Sequence, residues 1–241
     1  MKLQRIIRAI YPPSCVACDA PTMDENGLCL PCWGDTRFIS GCACDACGMP
    51  LPGEDDGLDR ILCDDCIAAP RPWHRGRAAI LYHGTGRRLV MALKHGDRTD
   101  LAVAGARWMA ARAAGIADAD SVVVPVPLHW MRLAKRRYNQ AALLSARVAR
   151  HLGALHLPDA LLRARATRPL EHETRTDRMA ALDGAIRPHP LRGGKLAGRR
   201  VLLIDDVMTS GATLGAATAA ARQAGAASVD VLTLARVARD G

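Results

Sequence analysis

Four C-x-x-C pairs lie within the first 66 residues of this 241-residue chain, and no cysteine follows them. Two thiolates three residues apart on a tight turn can bind one metal ion at about 2.3 Å, and two such pairs complete a tetrahedron. The short gaps within each half predict two successive four-cysteine zinc sites. The predicted ligands are Cys15, Cys18, Cys29 and Cys32 for the first site, and Cys44, Cys47, Cys63 and Cys66 for the second.

Other uses of these cysteines stay open at this point, namely disulfides, one redox pair, interleaved zinc sites or an iron–sulfur cluster. Disulfides need an oxidising compartment, and we find no secretory signal and no apolar run of the roughly 20 residues that span a bilayer. We therefore expect a cytoplasmic protein without membrane insertion. Cys42 is left over, and Gly48 stands where a zinc-binding turn often needs a positive φ. One or two structural zinc ions would supply much of this module's folding energy.

Charge divides the chain at the same place as the cysteines. Residues 1–70 hold eleven acidic and five basic residues, a net charge of −6, whereas residues 71–241 carry a net charge of +15. We expect a double zinc ribbon over 1–70 and a larger domain over 75–241, joined by the linker-like "AAPRPW". The basic domain should attract polyanions, either phosphorylated small molecules or nucleic acid. An arginine-rich surface that contacts only solvent would give the same net charge.

Beyond residue 75, strand and helix patterns alternate. Near-continuous apolar strands, such as Val122–Val124 and Val201–Ile204, predict a mostly parallel sheet with helices on both faces, which is an α/β fold. The predicted strands cover 78–83, 121–127, 199–206 and 228–236. The predicted helices cover 86–96, 100–114, 139–153 and 213–225. In such sheets ligands bind beyond the carboxyl ends of the strands.

The stretch "VLLIDDVMTSGAT" (201–213) stands at such a strand end. Two acids are followed by a loop of small and hydroxyl residues and then by a helix, whose first amides can bind a phosphate. Carboxylates repel phosphate but accept hydrogen bonds from sugar hydroxyls. The stretch therefore predicts a ribose 5-phosphate site, with Asp205 and Asp206 on the sugar and Thr209, Ser210, Gly211, Ala212 and Thr213 on the phosphate. The alternative is an ordinary strand–loop–helix connection whose two aspartates are solvated and bind no ligand.

This stretch resembles the signature of type I phosphoribosyltransferases, and the whole chain resembles the ComF family of competence-related proteins. The resemblance is carried by the cysteine pairs and by "LKHGDR" (93–98), "VVPVPLHWMRLAKRRYNQA" (123–141), "RARATRP" (163–169) and "DRMAALDGAI" (177–186). It implies a type I phosphoribosyltransferase-like domain behind a zinc ribbon, and binding of 5-phosphoribosyl-1-pyrophosphate (PRPP) with Mg²⁺. At position 137 this chain has arginine where the family usually has glycine.

The resemblance also assigns roles to residues around the predicted loop. PRPP would contact the segment from Asp205 through Val207 and Met208 to Thr213, and its pyrophosphate would lie on Pro125, Val126 and Pro127. Lys94, Arg136 and Arg137 are candidate cations for that leaving group, because lysine and arginine bind phosphates well. Asn139 and Gln140 either orient the arginines or cap the next helix.

Two functions remain open. In the first, the chain binds PRPP and takes part in DNA uptake and natural transformation, contacting single-stranded DNA and DNA-uptake proteins. The predicted DNA contacts are Arg132, Lys135, Arg136, Arg137 and Tyr138, with a second basic run at 187–200. In the second, the chain is an active phosphoribosyltransferase that moves a phosphoribosyl group to an unknown, nucleobase-like acceptor. Release of pyrophosphate in the presence of candidate acceptors would support the second function over the first.

Overall fold

The computed structural model describes residues 12–54, 60–95, 98–165 and 184–238 of the chain. The helices are α1 Leu30–Asp35, α2 Asp64–Ala68, α3 Gly84–His95, α4 Leu101–Arg112, α5 Trp130–Arg136, α6 Gln140–Leu152 and α7 Ala212–Gln223, with a 3₁₀ turn at Gly193–Leu196. The strands are β1 Gly76–Leu81, β2 Val122–Pro125, β3 Leu155–His156, β4 Leu161–Arg163, β5 Ile186–Pro188, β6 Arg200–Met208 and β7 Ser228–Arg236. Much of 163–169 and 177–186, two segments that carry the family resemblance, lies outside the described residues.

A five-stranded sheet with the order β1-β7-β6-β2-β3 forms the centre of the large domain. Every neighbouring pair in this sheet is parallel, while β4 and β5 form a separate antiparallel pair. The predicted parallel α/β fold is therefore confirmed. Strand β6 has β7 on one side and β2 on the other, so its carboxyl end lies next to the loop that follows β2.

Both faces of the sheet are covered, which explains why its strands are apolar at consecutive positions. Val123, Leu202 and Ile204 pack on one face against α3, α4 and α6. Val124 and Leu203 pack on the other face, in a core that also contains residues of α7 and Cys44, Cys47, Cys66 and Trp73. The second zinc ribbon thus supplies part of the layer that covers this face.

Local signals set the limits of α6. Asn139 precedes it, and its side chain accepts a hydrogen bond from the amide of Ala141 at 3.0 Å. Gly153 ends it with a φ of 66°, the left-handed conformation that a glycine adopts at little cost. Of the two roles predicted for Asn139, capping the next helix is the one present here.

Several details differ from the sequence-based expectation. Strand β6 continues past both acids to Met208, because Met208 pairs with Arg236 in the parallel ladder with β7. Helix α7 begins at Ala212, one residue earlier than predicted. The short helices α1, α2 and α5 and the strands β3 to β5 were not predicted, because each has too few residues to show an apolar period.

Candidate phosphoribosyl site

A cavity of about 330 Å³ opens at the carboxyl ends of β6 and β2. Its wall includes most of the residues predicted to bind ribose and pyrophosphate. The lining residues are Tyr82, Lys94, Val126, Pro127, Leu128, Asn139, Gln140, Ala141, Arg163, Asp205, Asp206, Val207, Thr209, Thr213 and Val237. The largest shares of the lining come from β6, the loop after β2 and the start of α6, and single residues come from the end of α3, from β4 and α7, and from the segments after β1, β6 and β7.

The two acids form the floor of the cavity together with a lysine. The amide of Asp206 donates to Oδ1 of Asp205 at 2.8 Å, which fixes the orientation of the Asp205 carboxyl. The Nζ atom of Lys94, in the last turn of α3, lies 3.2 Å from Oδ1 of Asp206. Burial, and after it the charge of Asp206, raise the pKa of Asp205 to about 7. The floor therefore carries one carboxyl group that is paired with a lysine, beside a second one whose pKa is raised to about 7.

The segment after the acids forms a short loop that leads into α7. Val207, Thr209 and Thr213 line the cavity, whereas Met208 is buried in the core. Ser210, Gly211 and Ala212 complete the turn outside that lining. Gly211 has a φ of 80°, and a Cβ there would lie 2.8 Å from Cη2 of Trp73, so both backbone and packing require glycine.

The loop after β2 forms the part of the wall next to the end of β6. Val126 and Pro127 line the cavity as predicted, and Leu128 joins them, while Pro125 is buried at the end of the strand. The side-chain amide of Asn139 donates to the carbonyl of Val126 at 3.0 Å and holds this loop in place. The predicted pyrophosphate contacts Val126 and Pro127 thus lie in the same cavity as the acids.

Residues 138–140 also fix the end of α3, where Lys94 lies. The hydroxyl of Tyr138 donates to the carbonyl of Leu93 at 2.8 Å, and Nε2 of Gln140 approaches the carbonyl of Lys94 at 3.5 Å. Gln140 is buried although it is polar. This part of the chain therefore positions the lysine of the site. The hydroxyl of Tyr138 is used in that contact, and a DNA contact by its ring stays a prediction.

Arg163 is a cavity residue that the sequence analysis did not assign. It ends β4, lines the cavity, and its charge favours the ionised form of Asp205. Its position at the head of "RARATRP" was the available signal, but an arginine in a chain with 33 basic residues does not stand out. Tyr82 and Val237 were missed as well, because only the sheet order brings them to this edge.

The predicted DNA-contacting residues lie on and after α5. The side chains of Arg132, Lys135 and Arg136 lie outside the described residues. Arg137 ends the helix, exposed, with a φ of 65°, which gives a physical reason why glycine is usual at this position. Trp130, at the start of the helix, is 69% exposed.

The second basic run is partly neutralised by acids from elsewhere in the chain. Arg192 forms an ion pair with Asp159, and Arg200 one with Asp118 at 2.9 Å. These pairs reduce the positive charge that this run presents to a nucleic-acid backbone.

The eight paired cysteines form two groups, in the sequential order that the spacing predicts. In each group the four Sγ atoms lie within 4.8 Å of one another. The Sγ atoms of Cys18 and Cys29 are 3.6 Å apart, and those of Cys47 and Cys63 are 3.7 Å apart. Zn–S bonds of about 2.3 Å require about 3.8 Å along each edge of a tetrahedron. Both groups therefore fit zinc, and Cys42 belongs to neither.

The turn after each first cysteine pair has the same geometry in both ribbons. The amide of Asp19 donates to the carbonyl of Cys15 at 2.9 Å, and that of Gly48 to the carbonyl of Cys44 at 2.8 Å. Both residues have a positive φ, as predicted for Gly48. At Gly48 a Cβ would lie 2.6 Å from the amide nitrogen of Ala78, so the second ribbon packs directly against β1.

Paired acids at a parallel strand end, followed by a loop and a helix N-terminus, define a protein of the phosphoribosyltransferase fold class. Residues 6–67 match the double zinc ribbon domain family, and residues 139–240 match the phosphoribosyl transferase domain family. The chain is 30% identical over 233 residues to the DNA utilization protein YhgH of Salmonella typhi, covering 93% of this chain and 97% of that protein. The chain belongs to the ComF family, the competence-related proteins that join a double zinc ribbon to such a domain.

Two further matches have lower sequence identity. Competence protein F of Haemophilus influenzae is 27% identical over 217 residues, covering 88% of this chain and 91% of that protein. Among solved structures, a hypoxanthine phosphoribosyltransferase of Staphylococcus aureus is 13% identical with a TM-score of 0.33, over 63% of this chain and 64% of that chain. Among the described helices of the present structure, none has the length and apolar character to cross a membrane.

Proposed function

We propose that the cavity binds PRPP together with Mg²⁺. The observation that supports this most directly is the side-by-side arrangement of Asp205 and Asp206 between a helix-capped loop and Lys94. The 5-phosphate lies on the amides of the loop and of the first turn of α7, where the helix dipole favours an anion. The two carboxylates accept hydrogen bonds from the ribose hydroxyls.

The pyrophosphate lies between the loop after β2 and Lys94. An ammonium group is a strong partner for phosphate oxygens, and Lys94 already lies inside the cavity. Arg163 adds a second positive charge to the lining of the cavity. Arg136 and Arg137 follow α5 closely, and we keep them as candidate contacts for the leaving group.

The donor set of the cavity fits Mg²⁺ as a partner of the ligand. Mg²⁺ prefers oxygen ligands and is commonly held by one or two carboxylates plus phosphate oxygens. Asp205 and Asp206 would provide the carboxylates, and the metal would neutralise charge on the pyrophosphate. The chain's own contribution is to hold the sugar, the 5-phosphate and the pyrophosphate in fixed positions.

We further propose that this pocket serves a cytoplasmic protein of DNA uptake that contacts single-stranded DNA. Two relatives are named for DNA utilization and for competence. The site of contact is α5, where Trp130, a residue that is 69% exposed, can stack on a base next to the basic run 132–137. Because α5 follows the loop that lines the cavity, DNA on this helix would lie beside bound PRPP.

The alternative is an active transferase with the same pocket. Departure of pyrophosphate leaves positive charge on the ribose, and the carboxylates of Asp205 and Asp206 would stabilise that charge from a fixed position. Binding of PRPP is common to both functions. Release of pyrophosphate in the presence of nucleobase-like acceptors occurs in the transferase and is absent in the binding protein.

Equilibrium binding of radiolabelled PRPP with Mg²⁺ tests the proposal. Asp206→Asn should weaken binding by about tenfold or more, because a charged hydrogen-bond acceptor contributes about 1.5–3 kcal/mol. Asp118→Asn is the matched control, since Asp118 is an exposed acid that pairs with Arg200 away from the cavity. Equal affinity in wild type and Asp206→Asn would refute the proposal. For DNA, Trp130→Ala should weaken single-strand binding without changing PRPP affinity.

A further inference from the structure

The segment between the ribbons and the sheet contains an arginine that contacts both. Nη1 of Arg71 donates to the carbonyl of Ser210, in the phosphate loop, across 139 residues of sequence. Nε of the same side chain donates to Sγ of Cys66 at 3.3 Å. One guanidinium therefore joins a ligand atom of the second zinc site to the backbone of the phosphate loop.

A second arginine holds the same loop. Arg236 is buried, and its Nη1 atom donates to the carbonyls of Met208 at 3.1 Å and Thr209 at 3.0 Å. Three successive carbonyls, 208 to 210, thus accept hydrogen bonds from guanidinium groups. In a trans peptide unit the N–H points opposite to the C=O. The arginines therefore direct the amides of residues 209 to 211 away from themselves, which an anion-binding loop requires.

With Zn²⁺ bound, the thiolates of the second site would supply negative charge next to Arg71. A Zn²⁺ ion with four thiolates carries a net charge of −2, and a hydrogen bond from an arginine to such a thiolate is charge-assisted. Trp73 fixes the backbone next to Arg71, because its Nε1 atom donates to the carbonyl of Ala46 at 2.6 Å inside the second ribbon. Loss of the metal would therefore weaken the contacts that both Arg71 and Trp73 make with the second ribbon.

We propose that Arg71 is a positioning residue that couples zinc in the second site to binding of the 5-phosphate. This inference rests on the proposed function of the cavity. The first zinc site provides a comparison within the same chain. Nη2 of its neighbouring arginine, Arg88, lies 4.0 Å from Sγ of Cys32, and the same atom donates to Oγ1 of Thr85 at 2.6 Å. These contacts lie within α3 and between α3 and the first zinc site, so the loss of the Arg88 side chain should leave the phosphate loop unchanged.

The test compares Arg71→Met with Arg88→Met in full-length protein that contains two zinc ions per chain. Each variant is titrated calorimetrically with ribose 5-phosphate, which needs the phosphate loop, and with Mg²⁺-pyrophosphate, which needs Lys94 and the loop after β2. Arg71→Met should bind ribose 5-phosphate about tenfold more weakly and pyrophosphate as in wild type. Arg88→Met should bind both ligands as in wild type. Arg71→Lys, which keeps the charge but not the forked geometry, should give an intermediate affinity.

Two outcomes would overturn the coupling: unchanged ribose 5-phosphate affinity in Arg71→Met, or equal losses for both ligands, which would indicate a general structural role. Amide chemical shifts of residues 209–212 test the coupling without any ligand. They should change in Arg71→Met and stay fixed in Arg88→Met, and unchanged shifts in both variants would reject the inference. If the wild-type protein binds neither ligand, the proposed function of the cavity is wrong. The amide chemical shifts of residues 209–212 would still test whether Arg71 positions the phosphate loop.

Discussion

The ammonium of Lys94 lies 3.2 Å from a carboxylate oxygen of Asp206, although the two residues are 112 positions apart in the sequence. Both side chains are mostly shielded from water, with exposed fractions of 20% and 12%. An ion pair in this setting depends on both partners, because removal of one leaves the other desolvated and uncompensated.

Lys94→Met should therefore lower the free energy of unfolding by about 1–3 kcal/mol. The double variant Lys94→Met with Asp206→Asn should recover most of that loss, since no unpaired charge remains. Urea denaturation of the wild type, the two single variants and the double variant measures the coupling. Additive effects of the two substitutions would show that the pair has no energetic coupling.

The pKa of Asp205, raised to about 7 by burial and by Asp206, gives a pH dependence. The folded protein holds this proton more tightly than the unfolded chain, whose aspartate ionises near pH 4. The contribution of Asp205 to stability is therefore present below about pH 4 and is lost as pH rises towards 7. Asp205→Asn should flatten that part of the stability curve, measured by denaturation between pH 4 and 8.

Ligand binding should show the opposite trend. An ionised Asp205 is the better acceptor for ribose hydroxyls, so its contribution to PRPP affinity should grow between pH 6 and 8. The ratio of wild-type to Asp205→Asn affinity isolates this effect, because titration of the ligand itself cancels in the ratio. A ratio that does not vary with pH would contradict the assignment of Asp205 to the sugar.

The two zinc sites should differ in what they stabilise. Cys47 is fully buried in the core that includes Leu203 and Val124, whereas Cys18 is exposed. We expect Cys47→Ser to lower the thermal unfolding midpoint by at least about 5 °C more than Cys18→Ser. Zinc analysis should give two ions per chain in wild type and one in each variant. Equal midpoints for the two variants would contradict the shared core of ribbon and sheet.

Arg137 adopts a φ of 65°, which costs a residue with a side chain about 1–2 kcal/mol. Glycine avoids this cost but loses about 0.4–1 kcal/mol through the greater freedom of the unfolded chain. Arg137→Gly should therefore raise the free energy of unfolding by about 0.5–1 kcal/mol. Arg137→Ala keeps the strain and should give no such gain in the same denaturation assay.

Much of this fold follows from local sequence signals. The four C-x-x-C pairs predicted both zinc sites and their pairing, because the thiolates of each pair lie on one turn. The apolar runs of β2 and β6 predicted a parallel sheet with two covered faces. The acids and small residues at 205–213 predicted a loop that the fold places beside a cavity.

What sequence reasoning missed depends on distant partners. "AAPRPW" was interpreted as a linker, yet Arg71 and Trp73 form contacts that join the second ribbon to residues near 210. Strand β6 extends past the acids because β7 continues beside it. Arg163 and Tyr82 reach the cavity only through the order of the strands. No local periodicity or motif in the sequence indicates such contacts, because they form only when the strands of the sheet come together.

A crystal structure of the protein grown with PRPP and Mg²⁺ would test the central claim most directly. We predict the 5-phosphate within hydrogen-bond distance of the amides around Ser210 to Thr213, and the ribose hydroxyls on Asp205 and Asp206. The pyrophosphate should lie towards Lys94 and the loop after β2. A ligand bound elsewhere, or ribose hydroxyls without contact to either acid, would contradict the assignment of this cavity.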